Sequence, residues 1–236
     1  MDMKWEDSFL ESFEWGNNII NKDRKLKIAD KIASMVSDGN VVGAGSGSTV
    51  YLALKQIAKR IKDESLNILI IPSSREISMA CIQLNIPQTT LLAHKPDWTF
   101  DGADEVDQDY NLIKGRGGAM FREKLLIASS PSTYIIADPS KMVKKLGTHF
   151  PVPIEIFPEA LTHVEQSLKQ FPVKEFNLRI AQKKDGPVIT ENGNLILDVW
   201  FDEIHGYLES AIKAITGVIE SGLFMHYNVQ LITGDD

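Results

Sequence analysis

Between residues 41 and 74 the chain runs from two valines into GAGSGST, through an amphipathic stretch, and into NILIIPSS. A short apolar run entering a glycine-rich loop, a helical periodicity leaving it and a second continuous apolar run form the order strand, helix, strand. Apolar runs with no polar alternation suit strands covered on both faces, and such strands belong to parallel sheets flanked by helices. This unit constrains the fold more than any other feature, because a parallel pair needs a crossover and the helix supplies it.

The same order continues on either side. Helical periodicity over residues 23–37 turns Leu26, Ile28, Ala29, Ile32, Ala33 and Val36 toward a core and stops at Asp38-Gly39. A helix over 49–62 leaves the glycine loop, another spans 76–84, and a weak strand follows at 89–92. Trp98-Thr99-Phe100, a helix carrying Glu123 and a strand over 133–138 complete the alternation. The expectation is a mostly parallel Rossmann-like sheet with helices on both faces. In such sheets ligands bind at the carboxyl ends of strands. The glycine loop, Ser73-Ser74, Asp101 to Asp104 and Asp138 all follow strands, so they converge on one edge.

From Phe150-Pro151-Val152-Pro153 onward the texture changes. A helix over 160–170, the segment FNLRIAQ, a hairpin signal at Glu191-Asn192-Gly193-Asn194, LILDVWF, a helix over 208–215 and a strand near 216–219 follow. This β-α-β-β-α-β order predicts a smaller ferredoxin-like α+β domain over residues 149–225. The larger domain spans 1–148, with the last apolar segment, in 226–236, returning to its sheet. Trp5, Phe9 and Phe13 recur at helical spacing and predict an aromatic stripe that packs on the chain's own domain or on a partner subunit.

A formal charge of −7 argues against an extended nucleic-acid surface, which rests on clustered Lys and Arg. The acidic first residues do not read as a secretory signal, and no apolar stretch approaches the roughly eighteen residues a membrane span requires. The expected location is the cytoplasm, and the single cysteine, Cys81, reads as a small core residue.

Two segments carry chemistry. In Gly43 to Thr49, glycines allow close approach of backbone to an anion, while Ser46, Ser48 and Thr49 add hydroxyl donors at a helix N-terminus. The spacing fits neither a dinucleotide fingerprint nor a P-loop, which needs Gly-Lys before its Ser or Thr. The second segment, DGADEVDQDYNLIKGRGGAMFREK, places Asp101 and Asp104 around two small residues, then Lys114 at the head of a glycine loop, then Glu123 in the first turn of a helix. There the helix dipole lowers a carboxyl pKa and burial raises it, and the sequence leaves that balance open. The five histidines lack zinc-type spacing, so no metal site is expected. A phosphate loop beside such acids suggests a site that holds a phosphate at one end and moves protons at the other. It suits an amino-sugar phosphate deaminase or a sugar-phosphate-sensing regulator domain, although a regulator needs a basic DNA-binding module.

GAGSGST, IIPSS, DGADEV, IKGRGGAMFREK, IADPSK, NGNLILDV and TGVIESGLF together resemble the A-type ribose-5-phosphate isomerase family over nearly the whole chain after about Asp23. The resemblance implies interconversion of ribose 5-phosphate and ribulose 5-phosphate in the non-oxidative pentose phosphate pathway. It also implies no metal or other cofactor, and a homodimer or homotetramer of two-domain subunits. Its substrate contacts fall on Ser46, Gly47, Ser48, Thr49, Asp101, Gly102, Ala103, Asp104, Lys114, Gly115, Arg116, Gly117 and Lys141, and its catalytic set on Glu123 as base with Asp101, Asp104 and Lys114. Arg116 occupies a slot that is most often glycine in the family, Arg75 follows the serine pair where a small or acidic residue is common, and Lys25 lies where some members bind phosphate.

Overall fold

The computed structural model describes residues 19–234 together with Leu10 and Trp15; the stripe at Trp5, Phe9 and Phe13 lies outside the described residues. In chain order, α1 (Lys22–Met35), β1 (Val41–Ala44), α2 (Ser48–Glu64), β2 (Leu69–Pro72), α3 (Arg75–Gln83) and β3 (Trp98–Gly102) form the first half of the larger layer. Next come β4 (Glu105–Val106), β5 (Leu112–Ile113), α4 (Met120–Ser129) and β6 (Thr133–Ile136). After these, β7 (Val152–Ile156), α5 (Leu161–Leu168), β8 (Val173–Leu178), β9 (Leu195–Phe201), α6 (Leu208–Lys213) and β10 (Val218–Ser221) lead to β11 (Leu223–Phe224) and β12 (Val229–Ile232).

The five-stranded sheet has the order β12-β6-β3-β1-β2 and every pair in it is parallel. The apolar runs read as doubly covered strands are so covered: Val42, Ala44, Ile70 and Phe100 are buried beside Ile28, Ile32, Leu54, Ile57 and Ile77 from α1, α2 and α3. Ile127 of α4 and Ile135 belong to a second cluster with Val106, Leu112 and Phe224. Trp15 stacks on Tyr51 with ring centroids 5.1 Å apart. Cys81 is fully buried in the first core, and burial pushes its thiol up to about 12.

The final apolar segment returns as expected, with Val229 to Ile232 in register with Thr133 to Ile136. The smaller sheet is antiparallel in the order β10-β7-β9-β8, the ferredoxin-like arrangement of a β-α-β-β-α-β chain. Its buried ladder includes Val152, Ile154, Ile156, Leu195, Leu197 and Val199, packed on Val164, Leu168, Leu208 and Ile212.

Three local expectations change. The weak strand at 89–92 is a single bridge at Gln88 followed by a turn, with Leu91 half-buried and Leu92 fully exposed, so no run of covered side chains holds it in the sheet. The Asn-Gly signal does not join paired strands directly. It turns the chain over 190–194 just ahead of β9, with Gly193 at φ +81° and the Glu155 carboxylate accepting from Thr190, Asn192 and Asn194. Finally, β11, β5 and β4 form a three-stranded antiparallel sheet that the sequence did not announce, since two-residue strands carry no period.

Candidate active site

The chain passes from β1 to β2 on one side and later places β3 on the other side of β1. The loops after β1 and β3 therefore diverge and open a crevice at their carboxyl ends, the usual place for a ligand. Side chains of β3 packed under this crevice explain the glycines. A Cβ at Gly45 would lie 1.9 Å from Cγ of Asp101, and one at Gly43 would lie 2.1 Å from Oγ1 of Thr99. Gly47, at φ +105°, lets the loop turn into α2.

The anion end of the site is built from the loop and its supports. Ser46 Oγ lies 2.9 Å from Ser73 Oγ, so the serine pair after β2 braces the loop from below. Lys25 Nζ donates to Ser48 Oγ at 3.0 Å, which brings a cation from α1 to the first turn of α2. Burial lowers the Lys25 pKa and Lys141 lowers it further, against the opposing charge of Asp138. Asp138 caps the turn Pro139–Lys141, accepting from the Ser140 N–H at 3.0 Å. Despite burial, that bonding and the nearby Lys141 and Lys25 charges hold its carboxyl below the usual range.

At the other end sit two carboxylates and a lysine. Lys114 Nζ lies 2.9 Å from Asp101 Oδ2 and 3.3 Å from Glu123 Oε2, and donates to the Gly102 carbonyl at 2.5 Å. Asp101 Oδ1 accepts from the N–H groups of Ser46 at 3.1 Å and Gly102 at 2.7 Å. One carboxylate thus joins the glycine loop to the end of β3 and to Lys114. Burial raises the Asp101 pKa against the pull of Lys114 and those N–H donors. Glu123 is pushed up to about 8, first by burial and then by the Asp101 charge, with Lys114 opposing. Burial and the Asp101 charge therefore outweigh the pull of Lys114. For Lys114, burial works against the charged form, but Asp101 and Glu123 outweigh it and raise its pKa.

A cavity of about 440 Å³ lies between the two ends. Ser46, Gly47, Ser48, Thr49, Gly102, Ala103, Asp104, Lys114, Gly115, Arg116, Gly117, Glu123 and Lys141, all read from the sequence, line it. Asp101, read as a substrate contact, does not: it is wholly buried and sits beneath the cavity. Asp104 accepts from the Arg116 N–H at 3.1 Å, and the Arg116 side chain turns over Phe150, 5.7 Å from the ring centroid. Lys141 lies over the same ring at 5.1 Å. Arg75 lies outside the cavity; its N–H donates to Glu191 at 2.5 Å.

Asp138, Ile136 and Ala137 also line the cavity but were outside the predicted set. Asp138 had a signal, since it ends a strand whose neighbours bear the site. Lys124, on the helix of Glu123, is a buried cation that holds Glu209 at 2.5 Å, Glu220 at 2.9 Å and the Leu223 carbonyl at 2.6 Å. No group of three or more His, Cys, Asp or Glu among the described residues is arranged to hold a metal ion. No described helix is long and apolar enough to cross a membrane.

Fold and site together define an α/β enzyme whose cavity has buried carboxyls and a lysine at one end and a glycine-rich loop at the other. The family model described as ribose 5-phosphate isomerase A (phosphoriboisomerase A) matches residues 69–236, and the chain belongs to that family. It is 41% identical over 216 residues to the ribose-5-phosphate isomerase A of Methanocaldococcus jannaschii, covering 90% of this chain and 94% of that one. The solved structure of the Methanocaldococcus jannaschii enzyme superposes with a TM-score of 0.86 at 40% identity, covering 89% of this chain and 95% of that one. A D-ribose-5-phosphate isomerase solved in complex with phospho-erythronic acid gives 0.85 at 34% identity, with coverage of 91% and 95%.

Proposed function

We propose that this chain interconverts D-ribose 5-phosphate and D-ribulose 5-phosphate through an enediolate, with Glu123 as the single base. The observation that carries the reading is a buried carboxyl, Glu123, pushed up to about 8 at the wall of a cavity whose far side is a phosphate-type loop. A general base is most effective when its pKa lies near the working pH.

The reaction removes a proton from C2 and delivers one to C1. These carbons are adjacent, so one carboxylate serves both steps. As C2 loses its proton, negative charge grows on the C1 oxygen, and Lys114 with the Gly117 N–H of the following loop stabilises it. Asp104 exchanges hydroxyl protons and assists opening of the furanose. Asp101, held against Lys114 and the glycine loop, orients both and shares with Asp104 the handling of hydroxyl protons. Ser46 to Thr49, with Lys25 and Lys141, hold the phosphate, so that binding energy remote from the reacting carbons orients them.

The same reading divides the subunit at about residue 149, puts it in the cytoplasm and pairs it as a homodimer or homotetramer. The test is ribulose 5-phosphate formation from ribose 5-phosphate, with and without EDTA, beside Glu123→Gln at matched concentration. Chelator-insensitive turnover that falls by about 10²- to 10⁴-fold in the variant, with substrate still bound, is expected. Wild-type protein that binds ribose 5-phosphate without converting it would overturn the proposal in favour of a sensor or a different sugar phosphate.

A further inference from the structure

Arg179 lies just after β8, in the smaller sheet, far along the chain from the residues that line the cavity. Its guanidinium is engaged on two sides. Nε donates to Asp198 Oδ2 at 2.8 Å and the NH2 nitrogen pairs with Asp198 Oδ1, a two-point clasp within the small sheet. The NH1 nitrogen reaches out of that sheet and donates to two carbonyls of the Lys114 loop, Gly115 O at 3.2 Å and Arg116 O at 2.9 Å. Only a planar fork with donors on both flanks makes these contacts at once; a lysine head has neither the shape nor the reach.

The carbonyl contacts have a directional consequence. In a trans peptide the N–H points opposite the carbonyl of the preceding residue. Drawing Gly115 O toward Arg179 therefore turns the Arg116 N–H the other way, and it meets Asp104 Oδ2 at 3.1 Å. Drawing Arg116 O toward Arg179 turns away the N–H of Gly117, a residue that lines the cavity. The Gly115 carbonyl also receives the Gly118 N–H at 2.9 Å, so the turn is closed and its peptide planes are defined.

We propose that Arg179, held by Asp198, is a positioning residue: it sets the peptide planes of Gly115 and Arg116 so that the Gly117 N–H faces the developing enediolate oxygen. The proposal rests on the isomerase reading and assigns the smaller sheet a part in the chemistry.

The experiment compares Arg179→Lys, Arg179→Ala and Asp198→Asn with wild type in steady-state isomerisation, with thermal melting to register folding. Because the donor is misaimed and not removed, kcat is expected to fall by about 10- to 100-fold with KM changed less than about threefold. Guanidinium ion added at millimolar concentration should restore part of the kcat of Arg179→Ala and none of that of Arg179→Lys, whose ammonium fills the slot. Unchanged kcat in folded Arg179→Lys, or a loss that follows melting alone and ignores guanidinium, would overturn it. Wild-type protein without isomerase activity would sink the functional reading, and the positioning claim is then decided by amide hydrogen exchange over 114–120. Exchange in Arg179→Lys about tenfold faster than wild type in that segment supports the clasp, and unchanged exchange refutes it.

Discussion

Replacing Glu123 by Gln should make the protein more stable as it becomes inactive, and the gain should follow pH with a calculable slope. In the unfolded chain Glu123 loses its proton near the ordinary value of 4.5, whereas in the folded protein it keeps it until about 8. Between those limits the folded state binds one proton more than the unfolded state, so stability falls as pH rises. The contribution is fully present below about 4.5, is lost progressively up to about 8, and is flat above. The slope in that window is about 1.4 kcal/mol per pH unit, which accumulates to the order of 4 kcal/mol by pH 8. Gln resembles the neutral carboxyl in shape and cannot ionise, so the variant lacks this term. Urea unfolding of both proteins at pH 5, 6, 7 and 8 should give curves whose difference widens with pH in favour of the variant. A difference that stays constant across the series, or a variant less stable than wild type at pH 8, would refute the assignment of a burial-raised carboxyl at this position.

For wild type, kcat/KM should rise with pH and level off above about 8, as the carboxylate form of Glu123 becomes populated; a profile flat from pH 6 to 9 would contradict the base assignment. Gly45→Ala places a methyl 1.9 Å from Asp101, so β1 and β3 must part; turnover should drop more than about 100-fold with a lowered melting temperature. Lys25→Ala removes a cation from Ser48, and the KM for the sugar phosphate should rise about tenfold with kcat changed little. Lys124→Met leaves Glu209 and Glu220 without their shared cation, and urea denaturation should register a loss of about 3–5 kcal/mol.

The parallel sheet was legible because doubly buried strands leave unbroken apolar runs, as at Leu69 to Pro72, and because the helices between them keep a clear apolar face. The loop residues of the site were legible for a different reason. Gly43, Gly45 and Gly47 stand where the Thr99 and Asp101 side chains or a positive φ exclude a side chain, and such needs survive in sequence as residue identity. What remained hidden depends on distance along the chain. That Asp101 lies under the cavity is decided by Ser46, Gly102 and Lys114 closing around it, and its type alone suits a substrate contact equally well. Nothing local singles out Arg179 or Lys124, because the carbonyls of Gly115 and Arg116 in one case and Glu209 and Glu220 in the other lie more than sixty residues away. The buried Glu105 is similar: its carboxylate gathers the N–H groups of Gly147, Thr148, His149 and Phe150, and nothing local signals that role.

The lone thiol of Cys81 gives this molecule an internal clock. Shut inside the first core and held almost entirely as the protonated form, it presents no thiolate to an alkylating or disulfide reagent while α3 is seated. Reaction then waits on opening of that helix, and because the chain carries one cysteine the whole signal comes from a single known position. Labelling followed over time therefore reads the opening of the sheet layer that carries the glycine loop, with no cysteine introduced or removed by mutation.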